Sequence, residues 1–316
     1  MPAERSSYSF TLDPAQQQRL LLELRADKYE SLTVPHTTRA VRLPDCNIAL
    51  YQSGKMVVQG KGAREWIEFT LEPQILGAAR LGYETQINPE LYAAHMGIDE
   101  SGKGDFFGPL VIAAVYIDPD TAPKLVEKGV RDSKTISGDK MIMSLAEHIR
   151  NTVRGRFTVI AVGPQRYNEM YAKIGNLNRL LAWGHARAIE NVLEKVPDCP
   201  RALSDKFGPT QRIESALMER GRKIRLDQRT KAESDPAVAA ASILARDGFV
   251  RALQEMGGKF GTTIPKGASE MVRRAAEALI RQHGPGILRE TCKVHFKTTD
   301  DVLGATGFTR ADLPSV

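Results

Sequence analysis

The chain has 316 residues, enough for about two domains, and its 42% hydrophobic and 26% charged content is typical of a globular protein rather than a disordered or fibrous one. Its net charge of +6 is compatible with a polyanionic partner, although a mildly basic enzyme has the same balance. Three widely spaced cysteines argue against a disulfide framework or a structural zinc site, and without a signal peptide or an apolar run of ~20 residues we expect a cytoplasmic protein outside the membrane.

The first part of the chain predicts a small α+β unit. Apolar residues at helical spacing indicate a helix over residues 16–29, with Pro14 at its start, where proline is tolerated. Short apolar runs indicate three strands, at residues 40–43, 47–51 and 56–59. A second amphipathic pattern covers residues 63–76 and ends at Gly77, and Pro73 within it indicates a kink or an early stop.

The balance of charge differs between the two parts of the sequence. Residues 1–86 carry ten basic and ten acidic side chains, so the whole excess of +6 lies beyond them. Residues 82–94 contain an Asn-Pro dipeptide and little periodicity, which is typical of a connection. We therefore predict an N-terminal substrate-binding domain over 1–86, a linker over 87–94 and a second domain over 95–316.

In the second domain the predicted strands precede most of the helices. The strands are expected at residues 95–99, 110–117, 158–162 and 201–204. The helices are expected at residues 178–195, 237–253 and 269–283. Ser234 and Asp235 are N-cap candidates for the long helix that begins near Pro236. This order predicts an α/β domain in which helices cover a mixed sheet.

Carboxylates stand at three boundaries between an apolar element and a turn. Residues 97–104 read Gly-Ile-Asp-Glu-Ser-Gly-Lys-Gly, which places Asp99 and Glu100 beside a glycine-rich turn. Asp205 ends a short apolar segment, and Glu233 precedes an alanine-rich helix. Two Mg²⁺ ions about 4 Å apart need carboxylates from separate segments, as strand ends can supply.

Each of these features also has a plainer interpretation. The absence of side chains at Gly102 and Gly104 lets backbone N–H groups approach a ligand, but an acidic, glycine-rich turn is often a solvated hairpin. Asp205 can be an ordinary loop acid. Glu233 and Asp235 can simply cap a helix, whose N-terminus favours negative charge.

Taken in order, these motifs resemble those of ribonucleases H of type 2. The matching segments are residues 97–109, Asp132-Ser133-Lys134, residues 204–208 and residues 231–246. Within that group the chain resembles ribonuclease HIII. Glu233 stands where ribonuclease HII carries an aspartate, residues 265–269 read Pro-Lys-Gly-Ala-Ser, and an extra domain of suitable size comes first.

The resemblance implies an RNase H-like fold, a mixed five-stranded sheet with helices, preceded by a small α+β domain similar to the TATA-binding protein. It implies cleavage of the RNA strand of RNA–DNA hybrids with two Mg²⁺ or Mn²⁺ ions, which leaves 5′-phosphate and 3′-hydroxyl ends. The catalytic and metal-binding acids would be Asp99, Glu100, Asp205 and Glu233. The substrate-binding residues would be Gly102, Lys103, Gly104, Ser133, Lys134 and Asn178. We expect a monomer with no obligate protein partner.

The remaining polar residues leave alternatives open. Lys103, Lys134 and Lys206 can neutralise phosphates, but Lys206 can equally be a solvated loop lysine and Lys134 can brace the active-site loop. We expect a structural role for three histidines and for a tryptophan in the core, namely His95, His185, His295 and Trp183.

Two other functions are compatible with parts of this sequence. Cleavage at a single ribonucleotide in DNA, as in ribonuclease HII, is disfavoured because Ala268 stands in place of the stacking tyrosine of such enzymes. A non-catalytic hybrid-binding protein is disfavoured because clustered acids beside phosphates weaken binding.

Overall fold

The computed structural model describes residues 7–25, 28–77, 91–130, 133–205, 213, 215–217, 219–229 and 232–314, except for the side chains of Thr135 and Glu233. The chain divides into two compact units, Met1–Leu91 and Tyr92–Val316. Part of the predicted linker, residues 87–90, lies outside the described residues, as do Asp132 and Lys206. Across the described ranges, no helix is both long and apolar enough to cross a membrane.

The N-terminal unit is an antiparallel sheet of five strands whose core is shared with helices. The strands are β1 (Ser7–Thr11), β2 (Glu30–Ser31), β3 (Thr37–Arg42), β4 (Cys46–Tyr51) and β5 (Lys55–Gly60), in the order β1-β5-β4-β3-β2. The helices are α1 (Pro14–Glu23) and α2 (Ala63–Trp66), which continues as a wider π-type segment over Ile67–Leu76. Leu20, Ile48, Val58 and Leu71 meet in the core.

This unit departs from the sequence prediction in several places, including the short strand β2, which was not predicted. Helix α1 ends at Glu23, six residues before the predicted end. Pro73 does not stop the second helix, because the wider turns accommodate it and the segment ends only at Gly77, where φ is +66°. Strand β1 was not predicted, although its alternation places Tyr8 in the core between two exposed serines.

The second unit is built on a mixed five-stranded sheet, as predicted. Its strands are β6 (His95–Ser101), β7 (Leu110–Ile117), β8 (Phe157–Val162), β9 (Arg201–Asp205) and β10 (Arg225–Arg229), in the order β10-β9-β6-β7-β8. Strands β6, β7 and β8 pair antiparallel, whereas β9 runs parallel to both β6 and β10. Strand β10 was not predicted, because its Arg-Leu-Asp-Gln-Arg sequence has the polar composition of a sheet edge.

Helices cover both faces of this sheet. They are α3 (Ala122–Glu127), α4 (Asp139–Val153), α5 (Pro164–Ile174), α6 (Leu177–Leu193), α7 (Pro236–Phe260), α8 (Glu270–His283), α9 (Ile287–Thr291) and α10 (Thr298–Ala305). Every residue of β7 is buried, and its side chains alternate between two cores. Val111, Ala113 and Val115 pack with α7, while Ile112 and Ala114 pack with α6. We call these the α7 face and the α6 face.

Helix α7 lies unusually close to β6. A Cβ atom at Gly97 would lie 2.1 Å from the backbone nitrogen of Val238, so only glycine permits the contact. Asp235 caps the helix by accepting hydrogen bonds from the backbone N–H groups of Ala237 (2.9 Å) and Val238 (3.3 Å). The close contact fixes the start of α7 beside the strand that carries Asp99.

Candidate active site

The two adjacent acids of β6 point to opposite faces of the sheet. Asp99 follows Gly97 by two residues and therefore lies on the α7 face, where it is hydrogen-bonded to Ser242 of that helix. Glu100 lies on the α6 face, where its Oε2 atom is 3.0 Å from Nε2 of His185. The two carboxylates therefore lie in different environments, although their residues are adjacent in the sequence.

Asp99 carries a charge that its surroundings do not neutralise. Its Oδ1 atom accepts the N–H of Glu100 at 2.8 Å. Burial, and then the neighbouring charge of Glu100, raises the pKa of Asp99 to about 6 in spite of its hydrogen bonds. Among the described residues Asp99 has no ion-pair partner. A buried, unpaired carboxylate of this kind is stabilised by a cation.

Glu100 has the opposite electrostatic setting. Burial alone would raise its pKa, but the hydrogen bond and charge of His185, followed by the charge of Lys103, leave the pKa below its usual range. Lys103 Nζ lies 3.4 Å from Glu100 Oε1. The Glu100 carboxylate is therefore held ionised and oriented by residues on two different segments.

Asp205 lies beside Asp99 because of the strand register. Strands β6 and β9 pair in parallel from Met96↔Ala202 to Ile98↔Ser204, so Asp99 and Asp205 are the next residues on neighbouring strands. Asp205 Oδ1 accepts the N–H of Ala232 at 3.5 Å, which ties the 3₁₀ turn Ala232–Ser234 to the end of β9. The backbone of Glu233 is thereby next to Asp205, while its side chain lies outside what the structure describes.

The glycine-rich turn contains two glycines with different requirements. Gly102 has φ of +85°, and a Cβ atom there would lie 2.2 Å from the carbonyl oxygen of Pro109, so the fold itself demands glycine. Gly104 is exposed, has no such φ, and a Cβ atom there would meet nothing within 4 Å. Neither the backbone conformation nor the packing therefore requires glycine at position 104.

The segment around Ser133 is tied to the α7 face. Ser133 Oγ lies 2.7 Å from Ser242 Oγ, and Arg246 donates hydrogen bonds to the carbonyls of Ser133 and Ile136. Ser242 therefore links the Ser133 turn to Asp99. The side chain of Ser133 is buried in this contact, whereas that of Lys134 is exposed.

Residues of α6 show both agreement and disagreement with the sequence prediction. Asn178 is half-buried in the first turn of the helix, and Asn176 caps that turn by accepting the N–H of Arg179 at 3.1 Å. The prediction that Trp183 belongs to the core is wrong, because 39% of its surface is exposed. His185, expected to be structural, contacts the acid Glu100 from the buried face of the same helix.

The other two histidines are away from these acids. His95 is buried, with Nδ1 2.6 Å from the carbonyl of Ala93 and Nε2 3.0 Å from the Asp235 carboxylate. His295 stacks on Tyr171 with ring centroids 4.1 Å apart, and burial lowers its pKa to about 4. No local sequence signal distinguishes His185 from these two, since only the fold brings it to Glu100.

The donor set fits a divalent cation. Hard oxygen ligands from two neighbouring strand ends suit Mg²⁺ or Mn²⁺, and the unneutralised charge of Asp99 supplies the attraction. Within the described residues no three His, Cys, Asp or Glu side chains form a complete metal-binding group. The side chain of Glu233, the further ligand predicted from the sequence, is not among the described residues.

Comparison with known proteins agrees with this geometry. Residues 96–299 match the family model described as Ribonuclease HII, and residues 9–74 match a domain of unknown function (DUF3378). The chain is 42% identical over 298 residues to Ribonuclease HIII of Protochlamydia amoebophila, covering 94% of this chain and 97% of that one. It is 39% identical over 302 residues to Ribonuclease HIII of Chlamydia trachomatis, with 95% and 98% covered.

Solved structures give the same result. The crystal structure of Bst-RNase HIII in complex with Mn²⁺ has a TM-score of 0.66 and 30% identity, covering 95% of this chain and 99% of that one. Aquifex aeolicus RNase H3 has a TM-score of 0.54 and 26% identity, covering 92% and 100%. The sheet order and the acids at its strand ends thus define the class, a ribonuclease H of type 2. Because the relatives match across both units, the chain belongs to the ribonuclease HIII family.

Proposed function

We propose that the protein cleaves the RNA strand of RNA–DNA hybrids by metal-dependent hydrolysis, leaving 5′-phosphate and 3′-hydroxyl ends. The observation that carries this proposal is the pair Asp99 and Asp205 on adjacent strand ends, where Asp99 is buried without a neutralising partner. When bound, Mg²⁺ or Mn²⁺ ions supply an activated water and neutralise charge that develops on the phosphate.

Each acid has its own role in the proposal. Asp99 and Asp205 hold the ions on the α7 face, and Glu233 completes the set from the turn tied to Asp205. Glu100 adds a carboxylate whose ionised form and orientation depend on His185. Ser242 fixes Asp99 and the Ser133 turn in one arrangement.

The glycine-rich turn and its neighbours recognise the hybrid. Proteins read such duplexes through backbone shape and the ribose 2′-hydroxyl rather than base edges. The bare backbone at Gly104 approaches the ribose, while Lys103, the turn of Ser133 and Lys134, and Asn178 contact the phosphates and sugars around it. Gly102 contributes by holding the turn in shape.

Residues 1–86 bind the same duplex. In the N-terminal sheet, side chains facing away from the core include Asn47, Tyr51, Lys55 and Gln59, at least partly exposed. This segment has no net charge, so polar and aromatic contacts contribute more than bulk attraction. Its affinity for hybrid should therefore fall less steeply with salt than that of a highly basic domain.

The experiment for the activity compares two substrates. One is a continuous RNA–DNA hybrid and the other a DNA duplex with a single ribonucleotide, each with Mg²⁺, Mn²⁺ or EDTA. We expect cleavage of the continuous hybrid with metal and none with EDTA. Equal or better cleavage at the single ribonucleotide would favour the ribonuclease HII-like alternative, and binding without cleavage would favour a non-catalytic protein.

The experiment for the N-terminal role uses truncation. Removing residues 1–86 should raise KM for hybrid while turnover survives at high substrate, since all four acids lie beyond residue 98. An unchanged KM, together with no binding by residues 1–86 alone at low salt, would leave a partner-docking role instead. We further propose that the protein is cytoplasmic and monomeric. Light scattering of the full chain would check the monomeric state.

A further inference from the structure

Lys293 is a buried lysine bonded to the turn that follows the active-site acids. Its side chain is fully buried, and its Nζ atom donates to the carbonyl oxygens of Asp105 (2.9 Å), Phe107 (3.2 Å) and Gly108 (2.7 Å). An ammonium group has three N–H donors, and all three are used. Lys293 lies far along the sequence, between α9 and α10, and reaches back to a segment it does not adjoin.

A buried cation at this place needs a reason. Removing an ammonium from water costs several kcal/mol, so an apolar side chain of similar length would serve better if packing alone were needed. The segment between Gly102 and Pro109 lies outside β6 and β7, so its carbonyls lack ladder partners. Lys293 supplies donors to three of them at once. Its pKa is lowered to about 8 by burial, with Asp105 acting in the opposite direction.

Lys293 is itself held in place. The backbone N–H of Lys293 donates to the carbonyl of Phe106 at 2.9 Å, and Phe107 forms a bridge with Cys292. Asn168, which is buried on α5, donates to the carbonyl of Cys292 at 2.9 Å and accepts the N–H of Val294 at 3.0 Å. The ammonium therefore projects from a braced segment, which suits a fixed support rather than a mobile charge.

The far side of the turn is also fixed. Asp105 Oδ1 accepts the N–H of Gly267 at 2.6 Å, and Phe106 donates its N–H to the carbonyl of Gly267 at 2.9 Å. Gly104 precedes this anchored stretch by one residue and is exposed. Residues 105–108 are thus bonded on both sides, while residues 103–104 project from them beside Glu100.

We propose that Lys293 is a positioning residue for substrate recognition, whose ammonium group holds residues 105–108 so that the backbone at Gly104 faces the ribose. The inference rests on the proposed function of the glycine-rich turn. Lys293 touches neither the acids nor the hybrid, and acts through the three carbonyls alone. Losing these bonds should disturb substrate binding more than metal binding.

The test is Lys293→Met in the full-length protein, with Lys259→Met as the matched control. Lys259 is an exposed lysine paired with Glu290, so the control also removes one positive charge. Hydrogen exchange by mass spectrometry over residues 101–109, KM and kcat on continuous hybrid, and Mn²⁺ affinity by calorimetry are measured well below the melting temperature.

We expect Lys293→Met to speed exchange in residues 101–109 by about tenfold, while residues 95–100 of β6 and residues 110–117 of β7 keep their protection. KM for hybrid should rise by about tenfold, equivalent to about 1.4 kcal/mol, with Mn²⁺ affinity unchanged. Lys259→Met should leave all these values near wild type. If Lys293→Met does not fold, Lys293→Gln, which keeps two donors, should show smaller shifts in the same direction.

Unchanged exchange in residues 101–109 would overturn the proposal whatever happens to activity. Faster exchange with an unchanged KM would also overturn it, because the turn would then be held for stability alone. Gly104→Val separates this failure from that of the proposed function. If Gly104→Val lowers binding but Lys293→Met does not, Lys293 is not the support; if neither does, the turn does not contact the hybrid.

Discussion

The two faces of the catalytic sheet treat neighbouring carboxylates in opposite ways. On the α7 face, Asp99 is buried beside Ser242 without a neutralising partner, and its pKa is raised to about 6. On the α6 face, His185 and Lys103 outweigh burial and lower the pKa of Glu100. The α7 face therefore has charge left for a cation, whereas the α6 face fixes its acid with protein groups.

Adjacent acids in one motif can therefore have different roles. A carboxylate that is already paired gains less from a metal than one that is unpaired. Asp99 should then contribute most to metal affinity, whereas Glu100 should mainly affect where the metal ion is positioned. Substitutions at Asp99, His185 and Asp235 each change one face of the sheet, so their effects can be compared directly.

The largest effect is expected from Asp99→Asn. Activity should fall by about a thousandfold or more, and by a similar factor for Asp205→Asn, because an amide is a poor ligand for divalent ions. Steady-state cleavage of hybrid measures the loss, with Asp300→Asn, an exposed acid paired with Arg310, as the matched control. Near-normal turnover in a folded Asp99→Asn protein would break the assignment of the α7 face.

In the absence of metal, the Asp99→Asn variant should be more stable to unfolding than the wild type. Because the folded-state pKa of Asp99 is raised, its contribution favours folding at low pH and is lost as pH rises through about 6. At pH 7.5 in EDTA the wild type buries a charge that Asp99→Asn removes, so denaturant unfolding should show a gain on the order of 1 kcal/mol. A loss of stability would contradict the buried charge.

On the α6 face, His185→Ala should lower kcat by about ten- to a hundredfold. After burial, the hydrogen bond with His185 is the main influence on the Glu100 pKa, so its loss should raise that pKa. The acidic limb of the pH–rate profile should consequently move to higher pH. His185→Gln, which keeps an N–H donor, should restore much of the rate, and an unmoved limb in both variants would mean that Glu100 does not limit activity.

Smaller effects are expected at the glycines where the two faces meet. Gly104→Val should raise KM several-fold and leave the free energy of unfolding within about 0.5 kcal/mol, since its Cβ has open space. Gly102→Ala should instead cost about 2 kcal/mol or more, because it forces a side chain into a left-handed φ against Pro109. Kinetics and urea unfolding of both variants separate the functional glycine from the structural one.

The smallest effect is expected for an acid on the α7 face whose carboxylate is already held by protein groups. Asp235 caps α7 and contacts His95, so Asp235→Asn should cost about 1 kcal/mol in unfolding and leave turnover of the folded protein near wild type. A loss of activity as large as that of Asp99→Asn would contradict this expectation. It would mean that an acid binds metal because it lies on the α7 face, and not because its charge lacks a neutralising partner.

Much of this arrangement was predictable from local sequence signals. The strand 110–117 and the acids at element ends were readable because apolar runs and turns mark them. Strand β10 and helices α3, α4 and α5 were not predicted, and β10 in particular is too polar to stand out before its place at the sheet edge is known. The contacts of Glu100 with His185 and of the turn with Lys293 join residues 85 and 185 or more positions apart, which no local pattern encodes.

The fully buried strand β7 also affects what happens to this protein when it unfolds. Leu-Val-Ile-Ala-Ala-Val-Tyr-Ile has no charge, no proline and high β-propensity, the composition of segments that form intermolecular sheets when exposed. In the native unit both its edges are paired, with β6 and β8, and the charged strand β10 closes one side of the sheet. Unfolding of this unit therefore releases an aggregation-prone strand, so heating should inactivate the enzyme irreversibly and at a rate that grows with protein concentration.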